Sequence, residues 1–217
     1  MRRLCGFPAL LVLVWTLIWM LAWTLVSPAV AADRIPVGRV IRQEGSAAVL
    51  RDALRSPLLP GTAVFAGDVI ETAAASRVTL RFDDDSTLTA GPESRVAVSQ
   101  YAVSPEGNRI GALFSLLAGI VRTAVQQAGL GSFAIQTEAA VASARSTEWT
   151  VEILPASTAI LGLAGTVEVT ARATGASVTL ASGQGTDVAP GGGLTPPVTW
   201  RAPRVERTLS LVGPAVR

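Results

Sequence analysis

The 217-residue chain contains no histidine, no lysine and a single cysteine, Cys5. Without imidazole there is no His-ligated metal site, no Ser-His-Asp or Cys-His nucleophile pair, and no histidine acid–base step. One thiol can neither close an intrachain disulfide nor build a thiolate zinc site. A Ser-Lys dyad is excluded with lysine. No G-x-G-x-x-G or G-x-x-x-x-G-K stretch is present to cradle a phosphate, and Ser182-Gly183-Gln184-Gly185 lacks the spacing of a G-x-S-x-G elbow. Aromatic residues make up only 5% of the chain, with one tyrosine, Tyr101. The expectation is a protein that is not an enzyme and that carries no cofactor or metal.

All 18 basic residues are arginine, and two of them are Arg2 and Arg3. From Asp33 onward, 18 less 2 leaves 16 arginines against 16 acidic residues, so this part is formally neutral. No basic stripe is left to neutralise phosphates, so nucleic acid is not an expected partner.

What is abundant begins at the N-terminus. Arg2 and Arg3 precede an almost wholly apolar run from Leu10 to Val26, and Ser27-Pro28-Ala29-Val30-Ala31 then supplies small residues at the spacing a signal peptidase reads. Residues 1–32 are expected to be a cleaved signal peptide. The competing reading is a retained transmembrane anchor, to which Trp15, Trp19 and Trp23 add hydrophobicity. Either way the bulk of the chain faces an extracytoplasmic space. It is periplasmic or secreted if cleaved and anchored to the inner membrane if not, and the membrane is touched only through that uncleaved segment.

From about residue 33 to 190 the chain reads as many short strands. Val78–Phe82, Trp149–Ile153, Thr166–Thr170 and Val178–Leu180 alternate apolar and polar residues, and Gly- and Asp-rich turns separate them. The fold class expected is all-β: a single antiparallel β-sandwich, jelly-roll-like or β-roll domain. Ile110 to Ala128 stays open between helix and strand, with Gly119 and the β-branched residues after it favouring strand for the second half. A Gly/Pro linker (191–197) and a C-terminal tail (198–217) follow. The tail reads as a loose terminus, as a docking segment anchored by Trp200, or as a segment folded back on the domain. Because the linker separates the two, deleting 198–217 is expected to leave the β domain folded.

Several residues stand out along this pattern. Asp83-Asp84-Asp85 lacks the spaced ligands of a calcium loop, so Asp84, Asp85 and Ser86 are expected to form a hairpin turn whose carboxylates hold backbone N–H groups. Gly67-Asp68 reads as a second turn, opening a strand. In Val141–Val151, Arg145 and Glu148 are placed to pair across a tight turn, with Trp149 starting the next core-facing run. Arg145, Thr147, Glu148, Trp149 and Trp200 are thus candidates either for partner contact or for a structural motif.

Taken in order, these pieces resemble the FecR domain family. They are Gly38-Arg39-Val40, Gly67-Asp68-Val69-Ile70-Glu71-Thr72, Leu80–Leu88, Gly119-Ile120-Val121-Arg122, Val141–Val151, Gly165–Val169 and Gly183-Gln184. Where the family reads Asp-Gly-Ser this chain has Asp84-Asp85-Ser86, and for Arg-Gly-Thr it has Arg145-Ser146-Thr147, replacing a glycine that tolerates φ > 0 in each turn. The family's named member, a regulator of ferric citrate uptake, adds a cytoplasmic anti-sigma segment. This chain begins only a few residues before its apolar run, so no such segment is expected here. The resemblance implies an extracytoplasmic binding or signal-relay module of the cell envelope. Its partner would be another envelope protein or a cell-wall glycan, and an unpaired, uncharged sheet edge could accept a partner strand. A structural or assembly component of the envelope is the alternative.

Overall fold

A computed structural model of the chain describes residues 34–106, 108–126 and 131–214. The expected leader, with Cys5, lies outside them. The β structure belongs to one unit that begins at Ile35. Among the described residues no helix is long and apolar enough to cross a membrane.

Eighteen strands form two nine-stranded sheets. In chain order they are β1 (Pro36–Glu44), β2 (Ala47–Arg51), β3 (Leu54–Pro57), β4 (Ala63–Phe65), β5 (Val69–Thr72), β6 (Arg77–Phe82), β7 (Thr87–Ala90), β8 (Arg95–Val103) and β9 (Arg109–Ala118). The second half comprises β10 (Ile120–Ala124), β11 (Phe133–Gln136), β12 (Ala140–Ala144), β13 (Glu148–Leu154), β14 (Ser157–Ala164), β15 (Val167–Ala171), β16 (Ser177–Leu180), β17 (Gln184–Val188) and β18 (Val198–Thr199), followed by helix α1 (Ala202–Val212). The first sheet runs β18-β17-β14-β13-β10-β7-β6-β1-β4, and the second runs β16-β15-β12-β11-β9-β8-β5-β2-β3. The all-β expectation holds, with one refinement. β9 and β11 pair in parallel, because the chain visits the first sheet as β10 between them.

The alternating pattern explains the layering. Val40, Leu80, Leu88, Val121 and Ile160 from the first sheet meet Val49, Ile70, Phe114, Ile135 and Val169 from the second in one buried cluster. Aromatic rings tie the layers together: Phe82 lies 5.0 Å from Phe114, Phe114 lies 4.8 Å from Phe133, and Phe133 meets the edge of Trp149 at 6.1 Å. Such ring pairs each add about 0.5–1.5 kcal/mol beyond their area. The segment left open between helix and strand is strand on both sides of Gly119, which turns at φ 78°. Its Ala112, Phe114 and Leu116 alternate into the core, a period a buried helix would not keep.

The C-terminal tail is neither loose nor free for docking. Leu194 bridges to Val188, β18 pairs with β17, and α1 packs on the outward face of the first sheet. Trp200 is buried in a small apolar cluster with Ala159 and Leu161. Gly185 makes this possible, since a β-carbon at that position would overlap the indole of Trp200. The tail is therefore part of the packed domain. Proline and glycine in 191–197 shape a turn back onto it instead of spacing it away.

Candidate functional site

Two polar constellations organise the sandwich, one inside it and one under α1. The inner one starts at the β6–β7 hairpin. In the turn between β6 and β7, Asp83 and Asp85 lie in solvent and Asp84 is buried between them. Asp85 adopts φ 59°, the left-handed conformation that the missing glycine would have supplied. The expected turn chemistry is present: Asp84 Oδ1 accepts the Ser86 N–H at 3.1 Å, and Ser86 Oγ donates to Oδ2 at 2.8 Å.

Asp84 does more than hold its own turn. Arg109 Nε, on β9 in the opposite sheet, donates to Asp84 Oδ2 at 2.5 Å, and the Tyr101 hydroxyl on β8 donates to Oδ1 at 3.2 Å. Arg109 is fully buried, donates through Nη1 to the Gly131 carbonyl at 2.8 Å, and lies over the Phe133 ring at 5.6 Å. Burial, and next to it the Asp84 charge, push the Tyr101 hydroxyl well above its ordinary range, so Tyr101 stays a neutral donor. This cluster clamps the two sheets together.

The Gly67-Asp68 turn is built the same way. Asp68 is fully buried, accepts the Phe65 N–H at 2.9 Å, and takes two hydrogen bonds of 2.7 Å from Arg51. Gly67 sits at φ 91°. The Asp68 carboxylate holds the Arg51 guanidinium above its usual range through their hydrogen bond.

The β12–β13 turn departs from its expected pairing. Glu148 does not bond Arg145; it bonds Arg122 on the neighbouring β10, and Arg122 also donates to the Gly213 carbonyl at the end of α1. Cross-strand register explains this, because β10 and β13 run side by side and bring the two residues onto one face. Thr147 Oγ1 donates to the Thr166 carbonyl at 3.1 Å, and Trp149 is fully buried in the core. Arg145 is exposed at the turn, with no ion-pair partner among the described residues.

The outer constellation continues from Arg122. Arg207 of α1 forms a two-pronged pair with Glu152 at 2.9 and 3.0 Å. Arg204 does the same with Asp187 at 2.7 and 3.0 Å while stacking on Trp200 at 3.6 Å. Glu152, Thr150 and Ile120 are buried beneath the helix. The carboxylate partners of Arg207 and Arg204 are 55 and 17 positions away in the chain, beyond any local sequence pattern. The i, i+3 spacing of Arg204 and Arg207 was the available signal. Nothing local marks Arg109.

None of these groups is arranged around an open reacting centre. Asp84, Asp68, Glu148, Glu152 and Asp187 are each held by an arginine. On the second sheet's outward face, Glu71 lies between Arg55 at 3.2 Å and Arg95 at 3.5 Å. The arrangement can present surfaces and hold two sheets in fixed register.

Two crystal structures of a protein described as an anti-sigma factor, from Parabacteroides distasonis ATCC 8503, share this fold. The one at 1.65 Å resolution superposes with a TM-score of 0.54 at 14% identity, covering 65% of this chain and 64% of its own. The one at 2.50 Å gives 0.53 at 14% identity, covering 65% and 63%. The present chain thus spans less than two thirds of their length, and at that identity the likeness is one of fold. No curated protein matches the sequence. Residues 68–168, which include the buried Asp84–Arg109 pair, Arg122 and the Arg145–Trp149 turn, match the family model described as FecR protein.

Proposed function

We propose that the chain is a noncatalytic signal-relay module of the bacterial cell envelope that contacts another envelope protein. The family match over residues 68–168 carries this reading. Anti-sigma assignment of the fold neighbours supports a regulatory role, and the apolar N-terminal run supports export or anchoring. The charged side chains of the domain are mostly consumed in internal pairs, which suits a rigid platform that displays a turn. Arg145, exposed at its turn, is the residue assigned here to partner contact. Arginine at a turn tip offers five donors to a carboxylate or backbone carbonyl of a partner.

The test is a crosslinking pull-down from intact cells carrying the full-length chain with a C-terminal tag. One envelope receptor or membrane regulator recovered in near-equal amount supports the relay reading. Recovery of glycan alone, or of no partner under conditions where the chain is folded and abundant, overturns it.

A further inference from the structure

We infer that β16 is a self-pairing edge, through which two copies of this chain join their second sheets across a two-fold axis at Val178. The argument is one of backbone phase. Two hydrogen bonds fix which way β15 points its peptide groups: the Ala171 N–H donates to the Ala176 carbonyl at 2.8 Å, on the β16 side. The Arg172 N–H donates to the Ala139 carbonyl at 2.9 Å, on the β12 side. Alternation then assigns Val167 and Val169 to β16 and Glu168 and Thr170 to β12. In the β15–β16 register Val169 faces Val178 and Val167 faces Leu180. Val178 and Leu180 therefore spend their peptide groups on β15, while Ser177 and Thr179 turn theirs outward, where no further strand of the sheet lies among the described residues.

The other sheet edges are guarded. β3 carries Arg55 and Pro57, β4 has three residues, and β18 has two residues directly after Pro196-Pro197. Charge, proline and shortness are the usual devices against edge pairing. β16, Ser-Val-Thr-Leu, carries neither charge nor proline. A second β16 laid antiparallel about Val178 sets Ser177 opposite Thr179 of the other copy, and Thr179 opposite its Ser177. Both pairs are of the hydrogen-bonded kind, so four backbone bonds form, and the two Val178 side chains meet on the axis. No charge on either strand opposes this, and the neutral balance of the chain beyond its leader leaves little long-range repulsion between copies.

The geometry gives a position-specific test. On the axis, Val178 and its copy form a non-hydrogen-bonded pair with Cα atoms about 4.5 Å apart, a distance a disulfide spans, whereas Ser177 and its copy stand beyond the roughly 7 Å limit. Full-length chain carrying Cys5→Ser is purified in mild detergent and oxidised. Val178→Cys is expected to give a disulfide homodimer at least tenfold more abundant than Ser177→Cys gives. Mixed Ser177→Cys and Thr179→Cys chains are expected to crosslink to each other. Thr179→Pro, which removes an outward N–H, should cut the Val178→Cys dimer at least tenfold. If that variant fails to fold, Ser177→Lys/Thr179→Lys serves instead, because it opposes lysines only in the dimer while the lysine replacing Thr179 faces Glu168 within one chain. Equal yields from Val178→Cys and Ser177→Cys, no homodimer, or a disulfide adduct of the Val178→Cys chain only with a different protein would each overturn the proposal.

Discussion

Arg109 and Asp84 sit on opposite sheets and meet in the interior, with Nε 2.5 Å from Oδ2 and the Arg109 side chain wholly shielded from water. Two charges taken out of solvent cost several kcal/mol each unless they find one another and their remaining lone pairs are satisfied. Ser86, Tyr101 and the Gly131 carbonyl do most of that satisfying. The pair fixes how the β6–β7 hairpin sits over β9, because any slip leaves an unpaired charge in the core.

Breaking the pair from one side is therefore expected to be severe. Asp84→Ala and Arg109→Met should each lose about 3–5 kcal/mol in urea unfolding. The double variant Asp84→Leu/Arg109→Met should lose clearly less than the sum. Additive losses would mean the two side chains do not act as a unit.

Tyr101 is the only tyrosine in the chain, so its phenolate absorbance reads that residue alone. Its folded-state value is raised by burial and by Asp84. The contribution to stability is thus fully present below the unfolded value of about 10. It is lost as pH rises beyond it, because the unfolded chain ionises first. Phenolate should appear only together with unfolding, and Tyr101→Phe should flatten the alkaline decline. A phenolate titrating near 10 in folded protein would contradict the buried placement.

Asp85 holds φ 59° at a turn tip. Asp85→Gly is expected to match or exceed the parent in thermal unfolding, whereas Asp85→Val should lose about 1–2 kcal/mol, the cost of a left-handed L-residue without a local hydrogen-bonding side chain.

The tail should contribute through its tryptophan more than through its ion pairs. Trp200→Ala is expected to lose about 3–5 kcal/mol. Arg207→Ala, at a side chain 57% exposed, should lose no more than about 1 kcal/mol, less in high salt. Denaturant midpoints for the two variants at low and high ionic strength separate these contributions.

Arg145→Ala, at an exposed turn, should stay within about 0.5 kcal/mol of the parent while reducing recovery of the crosslinked partner. Loss of stability in that variant would place Arg145 in the scaffold instead.

The alternation in Val78–Phe82 and Trp149–Ile153 was enough to read the strands and the all-β class, because each half-buried strand carries its own period. The Asp84–Ser86 turn was legible for the same reason, being local. The partners of Glu148, Asp84 and Glu152 were not. They come from strands and a helix brought alongside by register, and register across sheets is set by packing that no window of sequence displays. Composition left three readings of the tail open and could not single out the folded-back one, because its anchors are Trp200 and the bare surface of Gly185, which signal nothing until β17 is in place. The parallel β9–β11 contact was invisible too, since it depends on the excursion through β10.

That excursion belongs to a wider order. From β1 to β18 the chain steps back and forth between the layers in ones and twos, and each new strand or hairpin is laid beside those placed just before it. Growth of the sandwich is thus directional, from the β3–β4 end toward the β16–β18 end. A polypeptide that emerges N-terminus first, from a ribosome or through a translocation pore, can consolidate each layer before the next arrives. Each strand finds its neighbour among those already laid down, and damage late in the chain leaves the earlier layers their neighbours.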